Sequence, residues 1–217
     1  MRLFPVPSQR NRIILLPIAL VCLIFLAAKV TQGEATGFDE TIRNTIHSLS
    51  TPALTQFFSI ITYLGSQACV LGLSASAALI LLAKRRRRSA VLVVVTMAGA
   101  ELWLSILKNA FHRPRPEPFF GALLPPSYSF PSGHALLSCC CYGVLAALAS
   151  AYWRGSARWW LIRTCAALLI LAIGVSRIYL GVHYPSDVMA GYLVAILWTA
   201  SLSLLLRNDL ARRDHPQ

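Results

Sequence analysis

The sequence predicts an all-α membrane protein: a polytopic bundle of six transmembrane helices with one short amphipathic helix at its interface. Three observations carry this reading. Of 217 residues, 56% are hydrophobic and 13% charged, where a soluble domain carries roughly a quarter charged residues. The mean hydropathy is +0.61. Six apolar runs approach or exceed the ~20 residues that cross a bilayer, and none shows the polar alternation of a barrel strand. The same balance excludes disorder.

The first run extends from about Ile13 to Val30, behind Arg10 and Arg12. Small residues after Lys29 resemble a signal-peptide cleavage region, but the apolar stretch is long for one, so a retained anchor is expected. Gly37 to Ser50 is polar, with Phe38, Ile42, Ile46 and Leu49 at helical spacing. It predicts the short amphipathic helix, lying at the outer surface in a structural role. The second run covers about Leu54 to Ala83 and the third about Ser89 to Leu107. The fourth covers about Ala135 to Tyr152, the fifth Trp159 to Val175 and the sixth Val188 to Leu206. There is no internal repeat, and residues 1–217 are expected to form a single membrane-embedded domain.

Orientation follows from the basic residues. Fourteen of the twenty Lys and Arg fall on one side of a six-crossing chain: Arg2, Arg10, Arg12, the Lys84–Arg88 run, Arg154, Arg158, Arg163, Arg207, Arg212 and Arg213. Both termini are therefore expected in the cytoplasm, with the protein multi-pass in the inner (plasma) membrane. The net charge of +12 is then a topology signal that also attracts anionic lipid headgroups, and no nucleic-acid partner is expected. Cys22, Cys69, Cys139, Cys140, Cys141 and Cys165 fall inside predicted helices without metal-ligand spacing and read as packing residues.

The opposite, periplasmic or outer side collects polar residues in three segments. One runs from Lys108 through Arg115 and Pro116, one is Pro131-Ser132-Gly133-His134, and one runs from Ser176 and Arg177 through His183 to Asp187. Ser132 and Gly133 open a helix, whose free N–H groups suit an anion. Ser132 reads either as a plain cap or as a phosphate donor. Lys108, Arg115 and Arg177 add fixed positive charge, Arg in a bidentate geometry. Asp187, four residues after His183, can hold the tautomer of that imidazole. With His134 as a second imidazole, one histidine can attack phosphorus while the other protonates the leaving oxygen. His134, His183 and Asp187 also make a two-His, one-carboxylate set, but the surrounding cations oppose a divalent ion and suit a phosphate dianion. Glu101, inside the third run and seven residues before Lys108, is either functional or a helix–helix hydrogen bond. His112 and Arg113 stand outside the set.

Taken together, Lys108-x6-Arg115-Pro116, Pro131-Ser132-Gly133-His134 and Ser176-Arg177-x5-His183-x3-Asp187 resemble the signature of the type-2 phosphatidic acid phosphatase family. The resemblance implies that His183 forms a phosphohistidine and that Asp187 orients it. It implies that His134 protonates the leaving group and then activates water. Lys108, Arg115, Ser132, Gly133 and Arg177 would bind the phosphate oxygens, with no cofactor and no metal. The implied substrate is a lipid phosphate, such as undecaprenyl pyrophosphate, phosphatidylglycerol phosphate, phosphatidic acid or a lipid A phosphate. Undecaprenyl pyrophosphate leads among these expectations, with phosphatidylglycerol phosphate close behind. A phosphotransferase using the same intermediate, or a non-enzymatic anion carrier, are the alternatives.

Overall fold

The computed structural model describes residues 9–121 and 126–213. Arg2 of the orientation argument, and part of the loop after Pro116, lie outside them. Eight α-helices and two 3-10 turns make up the described residues, with no strand among them. The helices are α1 (Gln9–Thr31), α2 (Thr36–Ser48), α3 (Pro52–Leu64), α4 (Gln67–Ala83), α5 (Arg87–Phe111), α6 (Gly133–Ser150), α7 (Ala157–Tyr179) and α8 (Pro185–Arg213).

Helix α6 is the axis of the bundle. Its Leu136, Leu137, Cys140 and Cys141 are buried against Val70 of α4, Met97, Ala100 and Leu104 of α5, and Val194 and Ala195 of α8. Helix α7 packs along its remaining side, α1 rests on α8, and α3 rests on α7. The outside is apolar. Val21, Phe25, Leu79, Leu102 and Leu168 are all at least 60% exposed, as lipid-facing residues are when hydrocarbon replaces water. All six cysteines are free thiols in helices.

Four helices are individually long and apolar enough to cross a membrane, and six crossings result if each of two bent pairs counts as one. The second apolar run, continuous in sequence, is broken. Helices α3 and α4 meet at 45° across Gly65 and Ser66. Ser66 caps α4 by accepting from the Cys69 N–H at 3.3 Å, and the Leu64 carbonyl at the break accepts from the Tyr142 hydroxyl at 2.8 Å. The break has a packing reason as well. A Cβ on Gly65 would lie 2.3 Å from Ile173 Cγ2 and 3.1 Å from His134 Cδ2. The chain therefore bends where a glycine lets α7 and His134 come close. The amphipathic segment forms α2, turned 94° from α1.

Candidate active site

The three polar segments meet at one end of the bundle. Helix α5 ends at Phe111, where His112 takes a left-handed conformation (φ 47°) and turns the following chain across the mouth of α7 and α8. Arg115 is pinned there. Its Nε donates to the Ser127 carbonyl at 2.7 Å and its Nη1 to the Val182 carbonyl at 3.1 Å. Nη1 also lies 3.0 Å from His183 Nε2. A guanidinium only donates, so Nε2 is the acceptor and carries a lone pair. The proton then belongs on Nδ1, which faces Asp187 Oδ2 at 3.3 Å.

Asp187 is fully buried and His183 is 2% exposed. Oδ2 of Asp187 accepts from the Ser129 hydroxyl and, at 3.0 Å, from the Tyr184 N–H. Oδ1 accepts from Arg113 Nη1 at 2.7 Å. Burial pushes the His183 imidazole down to about 4, outweighing the raising influence of Asp187, with Arg115 and Arg177 adding to the fall. The imidazole is therefore neutral at neutral pH, the state a nucleophile requires. Burial also lowers Arg115 from its ordinary value, against the pull of Asp187.

The Pro131–His134 segment is tied to the same point, since the Ser132 N–H donates to the Asp187 carbonyl at 2.9 Å. Ser132 stands at the N-cap of α6 but makes no side-chain cap bond, and its buried hydroxyl has no partner. Arg177 donates through Nη1 to the Thr62 hydroxyl at 2.7 Å, while its buried Nε is likewise without a partner. Lys108 donates to the Tyr128 carbonyl and, at 3.4 Å, to the Ser127 hydroxyl. His134 sits on the first turn of α6, within electrostatic reach of His183, Arg177, Arg115 and Lys108. Beside Lys108 opens a cavity of about 510 Å³ lined by Ser105, Asn109, Ser127 and Tyr128.

The eight residues singled out in the sequence thus share one end of the bundle. Glu101 does not join them, because its Oε1 accepts from Gln67 Nε2 of α4 at 2.9 Å, a bond between helices. Arg113, set aside in the sequence, does join them, and with it comes Asp39 of α2, fully buried and 2.7 Å from Arg113 Nη2. No signal within the motifs marks that contact, which spans 74 residues of chain. The one available hint was an acidic residue in the first turn of an amphipathic helix facing a basic loop. Among the described residues no group of three or more His, Cys, Asp or Glu is arranged to hold a metal ion.

Buried donors without acceptors, three cations and a neutral imidazole thus meet at one end of the bundle, an arrangement whose chemistry suits an anion. That end belongs to a helical bundle with apolar outer walls, the setting in which a phosphate carried on a lipid is handled. This is the class of membrane lipid phosphatases. The chain belongs to the PAP2 superfamily, whose sequence pattern matches residues 89–210, as the motif resemblance implies. It is similar to phosphatidylglycerophosphatase B of Bacillus subtilis, at 27% identity over 183 residues, covering 83% of this chain and 90% of that one. It is also similar to an undecaprenyl-diphosphatase of Sulfolobus acidocaldarius, 37% identical over 84 residues, 39% of this chain and 36% of that one. Among solved structures, the transmembrane PAP2-type phosphatidylglycerolphosphate phosphatase of Bacillus subtilis superposes with a TM-score of 0.80 at 25% identity, covering 89% of this chain and 96% of that one.

Proposed function

We propose that the protein removes phosphate from a membrane lipid through a phosphohistidine on Nε2 of His183, without a metal. The observation that carries this is the resting hydrogen bond from Arg115 to Nε2, opposite an Asp187-backed Nδ1. When a phosphate enters, its oxygens take over the Arg115 N–H groups and the lone pair is left to attack phosphorus. Lys108, Arg115, Arg177, the Ser132 hydroxyl and the Gly133 N–H meet the equatorial oxygens, where charge develops. The bond from phosphorus to the lipid oxygen breaks, and His134 supplies the proton that oxygen needs. His134, now neutral, takes a proton from water, which attacks the phosphohistidine and releases inorganic phosphate and free His183.

A divalent ion has no ready place in this scheme. Both Asp187 oxygens are already taken by donors, and three cations share the space. The placing of Lys and Arg supports six crossings of the plasma membrane by a single domain, cytoplasmic termini and a site on the outer side. The relative aligned over most of both chains is a phosphatidylglycerophosphatase, so phosphatidylglycerol phosphate stands first among substrates, followed by undecaprenyl diphosphate. The test is phosphate release by purified protein in detergent from a panel of lipid monophosphates and diphosphates, with and without chelator. The expected result is release from a tailed substrate, unaffected by chelator and absent in His183→Ala. Loss of activity in chelator that one metal restores, or turnover by His183→Ala, contradicts the proposal.

A further inference from the structure

We infer that Arg113, held in place by Asp39 of α2, is a positioning residue that sets the charge Asp187 presents to His183. The inference rests on the phosphohistidine reading above. Arg113 Nη1 donates to Asp187 Oδ1 and to the Ser186 hydroxyl, each at 2.7 Å. Its Nη2 donates to Asp39 Oδ2 at 2.7 Å, and its guanidinium lies 4.1 Å from the Tyr184 ring centroid. Asp39 is fixed in turn. It accepts from the Ser186 N–H at 2.9 Å and from the Ser186 hydroxyl at 2.6 Å. Both carboxylates are fully buried, so each needs its charge compensated. Burial opposes the charge on Arg113, but Asp187 and Asp39 hold it above its ordinary value.

A division of labour follows. Among the described residues, Arg113 is the one Lys or Arg side chain in contact with Asp187. By neutralising Asp187 it leaves Lys108, Arg115 and Arg177 for the substrate. It also limits how far Asp187 can raise the basicity of His183, adding to the burial that holds the imidazole low. The charged and titratable groups facing the His183–Asp187 pair are Asp39 from α2, Lys108 from α5, His134 from α6, Arg177 from α7, and Arg113, Arg115 and Tyr184 from the loops. Of these, Arg113 touches the carboxylate oxygen that His183 does not use. Without it, the uncompensated Asp187 raises the His183 pKa, and the acid side of the rate profile moves to higher pH. A residue that only stapled the loop to α2 has no reason to move that profile.

The experiment measures hydrolysis of phosphatidylglycerol phosphate in detergent against pH for the wild type, Arg113→Met, Arg113→Lys, the double variant Asp39→Asn/Arg113→Met and His183→Ala. The double variant removes both charges and leaves no unpaired carboxylate at position 39. In Arg113→Met, kcat is expected to fall about tenfold or more, with KM little changed and the acid limb of kcat/KM raised by about one pH unit. Arg113→Lys restores part of both. The double variant is no slower than Arg113→Met, because Asp39 acts through Arg113. A folded Arg113→Met with wild-type kcat and an unmoved acid limb overturns the inference, as does a loss confined to KM. Failure of both Arg113→Met and the double variant to yield folded protein assigns the pair to folding and overturns it too. Turnover by His183→Ala points instead to failure of the phosphohistidine reading.

Discussion

Ser132 sits where a helix usually caps itself, yet its hydroxyl accepts nothing from α6. A serine that caps loses ~1 kcal/mol of stability on truncation to alanine. One that waits for a phosphate loses rate and leaves stability alone. Ser132→Ala is therefore expected to lower kcat/KM by roughly a hundredfold or more, with Tm within about 2 °C of wild type. A stability loss without a rate loss, read by thermal unfolding and phosphate release, would return Ser132 to the role of a cap. The sequence left both readings open, and the unpartnered Ser132 oxygen is what supports the proposed contact with phosphate. The eight motif residues were legible because they fall in three segments, within each of which the chemistry-bearing side chains stand at short fixed spacings. Arg113 and Asp39 were not, because an ion pair between a loop and a distant helix leaves no periodic trace.

At the scale of elements, the site depends on how closely α8 approaches the start of α6. Gly191 makes that approach possible, since a Cβ there would stand 2.8 Å from the Ser132 carbonyl oxygen and 3.1 Å from the Leu136 nitrogen. Small residues at such crossings let backbones pack closely in membrane bundles. Gly191→Val is expected to lower Tm by roughly 5 °C and to depress kcat by moving Ser132 and His134 relative to Asp187. Gly143→Ala on α6 is the control, because nothing lies within 4 Å of its added Cβ. Equal behaviour of the two variants would contradict the close-packing account. The same geometry explains what the apolar pattern concealed. The apolar run is interrupted only by Gly65, Ser66 and Gln67, too brief a break to split it by hydropathy, and the contact of Gly65 with Ile173 and His134 shows why the bend between α3 and α4 falls there. Helix α2 was legible as an amphipathic helix, but not as the element that brings Asp39 into the site.

On the scale of the whole molecule, an apolar outer surface surrounds a buried polar end. The sequence carried the first half of that picture in its composition and the second in the motif spacings. What it lacked was the way α2 closes over the loop after α5. Asp39 reaches Arg113, Arg113 reaches Asp187, and Asp187 reaches His183, so α2 is linked to the His183 imidazole through two buried carboxylates. The proposed reaction passes through a covalently phosphorylated His183. Rapid quenching of the purified protein during turnover of phosphatidylglycerol phosphate labelled with 32P in its terminal phosphate, followed by peptide mapping, tests it most directly. The expected product is an acid-labile, base-stable phosphoryl adduct on His183 that is absent in His183→Ala. Steady turnover with the label on another residue, or with His183→Ala still labelled, would contradict it.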